Sequence, residues 1–407
     1  MNDFVFESPT KFVVGIGGEN KVGELIAELG HCKVLVHFGQ SSAKKSGLIG
    51  RVELSLQSVG IDYLELGGVR ANPDINLVRE GYKQARDFGA TFVLAIGGGS
   101  VIDSAKAIAL AFAYEGDVWD LYDSTAAYSK FDEKKIIQIG TILTIPAAGS
   151  EGSANSVISN DQAGLKCGFK HQFLRPKFSV LNPKLCSTLP AYQSACGITD
   201  MFAHLLERYF GGVTSVPVTD NLNLSLMQTI VSLAPKIMKD PSDTDSQMNL
   251  MWASTLCHNG IAGCGLTEEW TCHALEHELS ALDPNIAHGA GLAVVFPAWM
   301  DYVCDAGYER FATYGSKVFG LAMGEDEEHD ANDAKVAIAN QAIAKTREFF
   351  ASLGMPSTLE QLGLNIDDIP KTLTGLELNR GAEFGFFKKL NLQDAVKIYM
   401  STSQNSR

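Results

Sequence analysis

The chain has 407 residues, 45% of them apolar and 20% charged, with 33 Lys+Arg against 47 Asp+Glu and a formal net charge of −14. That length exceeds the usual span of one hydrophobic core, so two domains are expected, and the composition is that of an ordinary globular protein. The acidic balance disfavours nucleic acid and anionic membrane as partners. No apolar run reaches membrane-spanning length, and MNDFVFESPTKF has no basic stretch followed by an apolar core, so a cytoplasmic location is expected.

In chain order, the first half alternates β-branched runs with amphipathic stretches. KVLVHF (33–38), TFVLAI (91–96), KIIQIGTILTI (135–145) and FSVLN (178–182) read as buried strands, and the segments near 42–58, 74–88 and 100–113 as helices. Strand, helix, strand spacing predicts a mainly parallel sheet covered on both faces. From about Ala191 the pattern turns to a 3.6-residue period, broken at Gly211-Gly212, Asp240-Pro241, Gly260 to Gly265, Asp283-Pro284 and Gly354 to Pro356. The expected organisation is an α/β domain over 1–188 and an all-helical domain over 189–407. The acidic stretch 324–334 reads as a solvated loop and helix start, and the tail 401–407 as mobile. Eight cysteines without a CxxC pair read as small buried hydrophobes.

Glycine-bearing strand ends point to a phosphate ligand. IGGGSVIDSAK places three glycines and Ser100 between a buried strand and a helix, where free N–H groups and the positive end of the helix dipole suit a pyrophosphate. A glycine run of this kind also serves as a plain tight turn. FGQSSAKKSG (38–47) and TILTIPAAGSEGS (141–153) are two further strand ends of this type, and three together in a parallel sheet form a nucleotide-sized crevice. The pattern is not the GxGxxG fingerprint.

The helical half carries the donors for a metal. Asp200 and His204 are four residues apart and share a helix face, as do His273 and His277, and His288 follows. Any one of these histidines alone reads as an ordinary core or surface residue, and Asp200 as a helix cap. Five of the nine histidines, however, fall between residues 204 and 288. Three imidazoles and one carboxylate, from Asp200, His204, His273 and His288, suit a single divalent Fe²⁺ or Zn²⁺ and not calcium. Cys272, next to His273, points away from it.

These residues resemble the iron-containing (group III) alcohol dehydrogenase family. GGGSVIDSAK is similar to its GGGSxxDxxK signature, the Asp200, His204, His273, His288 series to its four metal ligands, and LTIPAAGSE to its TxxxTGSE segment, while CHALEHELSA is similar to the butanol dehydrogenase and NADPH-dependent aldehyde reductase branch. The likeness spans nearly the whole chain. It implies the dehydroquinate-synthase-like fold: an α/β N-terminal nucleotide-binding domain with a parallel sheet, an all-α C-terminal metal-binding domain, and an active site in the cleft between them. It also implies that Gly98, Gly99 and Ser100 hold the pyrophosphate, that Asp103 lies near the nicotinamide and takes part in catalysis, that Thr141 and Thr144 flank the adenosine, and that Lys166 contacts the nicotinamide ribose. His277 matches a histidine that lines the site. Related dimers pair their N-terminal strands, here TKFVVGIGG, so a homodimer is expected.

Three positions depart from the family pattern. Ala148 stands where the family has Thr, His273 and His288 are one residue further apart than expected, and Gln40 replaces the Asp of NAD-preferring members. With no acid in FGQSSAKKSG, and with Gly39, Ser41, Ser42, Lys44 and Lys45 available, NADP(H) is expected over NAD(H), although both lysines also fit a solvated helix. The expected reaction moves a hydride between NADP(H) and a small uncharged alcohol or aldehyde, with His277 as proton relay or as a packing residue. Two rivals are a dehydroquinate-synthase-type lyase, which needs basic residues beside the ligands, and a catalytically silent nucleotide-binding protein, which has no use for four ligands.

Overall fold

In a computed structural model of the chain, residues 1–123, 125–212, 214–322 and 331–403 are described, so most of the acidic stretch and the end of the tail lie outside them. The chain divides into two compact units. One comprises Glu7–Leu189 with Pro241–Asn259, and the other Met1–Phe6, Pro190–Asp240 and Gly260–Arg407.

The first unit is built on six strands: β1 (Lys11–Val14), β2 (Lys33–Phe38), β3 (Asp62–Leu66), β4 (Phe92–Gly97), β5 (Gln138–Leu143) and, after a hairpin of β6 (Asn155–Asn160) and β7 (Leu165–Lys170), β8 (Phe178–Leu181). They form one all-parallel sheet in the order β1-β8-β5-β4-β2-β3. Period-two alternation splits each strand between two cores: Val34, Val36, Phe92, Leu94 and Ile96 face one, Leu35, Val93 and Ala95 the other. The helices of this unit are α1 (Val22–Glu28), α2 (Ser42–Lys45), α3 (Leu48–Gln57), α4 (Ile75–Phe88), α5 (Gly99–Ala111) and α6 (Asp120–Asp123). The single helix expected near 42–58 is two, because Gly47 at φ 72° closes α2 before α3 starts. Asp74 caps α4 by accepting the Asn76 N–H. Strand β3 and the hairpin were not anticipated.

The second unit contains α7 (Ala191–Tyr209) and α8 (Pro217–Lys239). The next helix in the chain, α9 (Thr244–His258), belongs to the sheet unit instead. There the Thr255 hydroxyl donates to Glu151 at 2.6 Å, Arg175 to the Asn259 carbonyl at 3.0 Å, and Trp252 packs edge-on against Phe12. The helical unit resumes with α10 (Thr271–Leu282), α11 (His288–Val303), α12 (Tyr308–Phe319), α13 (Ala331–Ser352), α14 (Ile369–Arg380) and α15 (Leu392–Met400). A two-residue antiparallel ladder, β9 (Glu383–Phe384) with β10 (Leu390–Asn391), is its one strand pairing among the described residues. Helix α11, apolar all round, is buried at the centre. Its approach to α7 depends on Gly289, where a Cβ would run into the Cys196 carbonyl.

Candidate metal centre and nucleotide-binding edge

Within the helical unit, Asp200, His204 and His273 come together with ligand atoms in mutual reach, all three buried. Asp200 and His204 are one turn apart on α7. Nδ1 of His204 donates to the Asp200 carbonyl at 2.8 Å. Oδ1 of Asp200 is the point of convergence. It lies 3.1 Å from Nδ1 of His204, 3.9 Å from Nε2 of His273 and 3.8 Å from Nε2 of His288, and it is buried without a hydrogen bond of its own. Burial opposes ionisation of Asp200, but the imidazoles of His204 and His288 outweigh it and hold the carboxyl below its ordinary range.

His288 opens α11 after the Asp283–Ala287 connection, which turns on itself: the Asp283 carboxylate accepts the Asn285 N–H at 2.9 Å, and the Asp283 carbonyl accepts that of Ile286. Nε2 of His288 is 3.8 Å from Asp200, and its Nδ1 meets Glu276, so His288 groups with Glu276 and His277 and not with the Asp200, His204 and His273 set. His277 is one turn beyond His273 on α10, half-buried, with its ring 5.5 Å from that of His288.

Three residues beside the ligands were not read from the sequence. Glu207, fully buried on α7, accepts both Nδ1 and the backbone N–H of His273 at 2.9 Å, and burial together with the charge of Glu269 pushes its carboxyl up to about 8. Glu276, also fully buried, accepts from Nδ1 of His288. Trp270 sits at φ 59° just before α10, its ring 4.9 Å from that of His273 and 5.5 Å from that of His204. Glu207 follows His204 by three residues and Glu276 follows His273 by three, but that spacing does not name the histidine that each one holds. Arg208 is a base close to the ligands, but its guanidinium donates to the His204 carbonyl, pairs with Glu268 at 3.1 Å and lies over Trp270. Cys272 is fully buried, and burial keeps its thiol protonated. A carboxylate with a bare buried oxygen, three imidazoles and two further buried acids together fit one divalent cation.

Within the sheet unit, Gly98 caps α5, and Gly98, Gly99 and Ser100 are half-buried where β4 ends, so the first N–H groups of a 13-residue helix point outward. A Cβ at Gly99 would meet only Ala148, at 3.7 Å. Gly39, half-buried, and the exposed Gln40, Ser41 and Ser42 follow β2. Lys44 pairs with Glu65 at 2.6 Å and lies over the Phe38 ring, so its charge is already met, while Lys45 is exposed.

The signature Asp and Lys of α5 are anchors. Asp103, expected near the nicotinamide, takes the Ser150 hydroxyl at 2.5 Å on one carboxylate oxygen and the Val157 N–H at 3.0 Å on the other. Lys106, one turn on, donates to the Ser150, Ser153 and Asn155 carbonyls, and burial lowers its pKa to about 8. Together they fasten the loop after β5 to α5. Thr141, expected beside the adenosine, is fully buried within β5, its hydroxyl donating to Ser179 at 2.8 Å. Thr144, at the strand end, is half-buried. Lys166 is buried in β7 opposite Ser159.

Residues 9–183 match the family model described as iron-containing alcohol dehydrogenase, and residues 194–403 the one described as Fe-containing alcohol dehydrogenase family, C-terminal. The chain is 37% identical over 400 residues to NADH-dependent butanol dehydrogenase A of Clostridium acetobutylicum, covering 98% of this chain and 99% of that protein. It is 33% identical over 402 residues, with the same coverage, to the NADPH-dependent aldehyde reductase YqhD of Escherichia coli. The crystal structure of NADH-dependent butanol dehydrogenase A from Thermotoga maritima superposes with a TM-score of 0.91 at 36% identity over 99% of each chain. The chain therefore belongs to the iron-containing alcohol dehydrogenase family, as an oxidoreductase of the alcohol dehydrogenase and aldehyde reductase class that uses NAD(P) and a divalent metal.

Proposed function

We propose that this enzyme interconverts small uncharged aldehydes and alcohols with NADP(H) in preference to NAD(H). The observation that carries the site assignment is the convergence of His204, His273 and His288 on one bare, buried oxygen of Asp200. These four residues hold the ion, Fe²⁺ or Zn²⁺. The bound metal supplies a Lewis acid and the bound cofactor a hydride acceptor or donor. The N–H groups of Gly98, Gly99 and Ser100 bind the pyrophosphate, with Thr144 and Lys166 lining the rest of the cofactor site. Asp103 acts by holding the loop that carries Ser150. His277, half-buried one turn from a ligand, gives or takes the proton on the substrate oxygen.

The NADP(H) preference rests on the neutral, exposed Gln40 with Ser41, Ser42 and Lys45 around it. We further propose a cytoplasmic homodimer. Among the described residues no helix is long and apolar enough to cross a membrane, and β1 is an edge strand with Val14 and Ile16 exposed.

Elemental analysis of the purified protein, combined with butanal reduction followed separately with NADPH and NADH, tests the reading. One iron or zinc per chain and faster NADPH oxidation are expected. Absence of aldehyde-dependent oxidation of either cofactor by metal-replete protein would overturn it.

A further inference from the structure

We propose that Glu207 and Glu276 are positioning residues: each buried carboxyl group accepts the Nδ1–H of one ligand histidine, His273 and His288 respectively, and thereby sets how tightly the centre holds its ion. The inference rests on the metal centre proposed above. Oε1 of Glu207 is 2.9 Å from both Nδ1 and the backbone nitrogen of His273, so the ring is gripped at two points. Oε1 already accepts the backbone N–H of His273, which puts the ring proton on Nδ1 and leaves the lone pair of Nε2 on the side of Asp200, 3.9 Å away. Glu276 meets Nδ1 of His288, whose Nε2 is 3.8 Å from Asp200, and its second oxygen is held by the Ser280 hydroxyl.

The pairs run crosswise between helices. Glu207 on α7 holds a histidine of α10, and Glu276 on α10 holds a histidine of α11. Room for the second pair comes from Gly291 on α11, where a Cβ would fall 2.6 Å from Cγ of Glu276. His204 is held differently, by the neutral carbonyl of Asp200 on its own helix. Two of the three imidazoles thus have a buried carboxyl group behind Nδ1, which fixes their orientation.

The test uses wild type, Glu207→Gln and Glu276→Gln, each stripped with a chelator and titrated with Zn²⁺ against a chromophoric competitor and with Co²⁺ by its visible absorption. Glutamine keeps the size and an accepting oxygen but replaces the carboxyl group with an amide. Each variant is expected to bind Zn²⁺ about 10- to 100-fold more weakly and to show an altered Co²⁺ spectrum, while circular dichroism and the apoprotein Tm stay at wild-type values. Wild-type affinity and an unchanged spectrum in both variants would overturn the proposal. If Glu207→Gln fails to fold, Glu276→Gln decides through His288. A wild-type protein that binds no metal at all would instead overturn the centre itself, a distinguishable result.

Discussion

The proposed metal centre and the proposed phosphate-binding edge are built by opposite means. At the centre the chemistry is carried by side chains, crowded onto three helices and each locked from behind: His204 by a carbonyl, His273 by Glu207, His288 by Glu276. At the edge the proposed phosphate donors are backbone N–H groups, and the side chains nearby are fasteners. Asp103 and Lys106 hold a loop, and His37 links the Leu66 carbonyl to the Ser104 hydroxyl. The first kind of site fails when a side chain is removed. The second fails when one is added, because glycine there is a requirement for close approach.

The largest effect should come from removing a ligand. His204→Ala is expected to lose its metal and to slow turnover by about three orders of magnitude, since Lewis-acid stabilisation is worth several kcal/mol. The α-helical circular dichroism should persist, because α7 keeps its other buried residues, among them Ile198, Phe202, Leu205 and Tyr209. Metal content by mass spectrometry alongside kcat checks both, and a metal-free variant with near-normal kcat would break the assignment.

That side-chain site was legible in the sequence because a four-residue spacing on an amphipathic helix survives without knowledge of packing, as Asp200 and His204 show. Much of the parallel sheet was legible for a similar reason: continuous β-branched runs such as KVLVHF declare strands buried on both faces. Other features depended on contacts that no local pattern encodes. Glu207 and Glu276 look like residues of a solvated face until their histidine partners are known. Helix α9 joins the sheet unit through Thr255 and Glu151, 104 positions apart. The hairpin β6–β7 alternates polar and apolar residues too weakly to announce itself. Thr141 sits on a strand whose pattern does not say which residue reaches the crevice.

A second prediction tests the fasteners. His37 is neutral and fully buried, and burial lowers its pKa to about 4 although its bond to Leu66 opposes this. The unfolded chain, with an ordinary value of about 6.5, takes up the proton first, so stability is present above pH 6.5 and is lost as pH falls toward 4. Between pH 7 and 4.5 the loss from this residue should be on the order of 2 kcal/mol. Urea unfolding midpoints at the two pH values for wild type and His37→Gln measure it. An equal decline in both proteins would remove His37 from the acid response.

Adding a side chain at the edge should do less, but selectively. A Cβ at Gly99 meets only Ala148, at ordinary contact distance, so Gly99→Ala should leave Tm unchanged or slightly raised. It should still hold the pyrophosphate off the helix end, raising the cofactor KM about tenfold, the ~1.4 kcal/mol of a weakened charged hydrogen bond. The expected split is in KM with kcat retained. A normal cofactor KM would show that the α5 N-terminus does not bind the phosphates.

The smallest effect concerns the one place where the backbone-built site depends on a side chain for discrimination. Gln40 is exposed directly after β2, so its replacement costs the fold little. An aspartate there would accept the ribose hydroxyls of NADH and repel the 2′-phosphate of NADPH, by about 1 kcal/mol for solvated charges near 4 Å apart, or near fivefold. Lys44 does not offset this, because Glu65 already holds it at 2.6 Å; only Lys45 remains as a countercharge in that segment. Gln40→Asp should therefore shift the ratio of kcat/KM for NADPH over NADH about fivefold toward NADH. Glu65→Gln, by releasing Lys44, should shift it the other way. Both shifts should shrink as ionic strength rises, since exposed charges are screened. If wild type already prefers NADH and neither variant moves the ratio, the serines and lysines after β2 form no phosphate site, and cofactor choice lies elsewhere in the sheet unit.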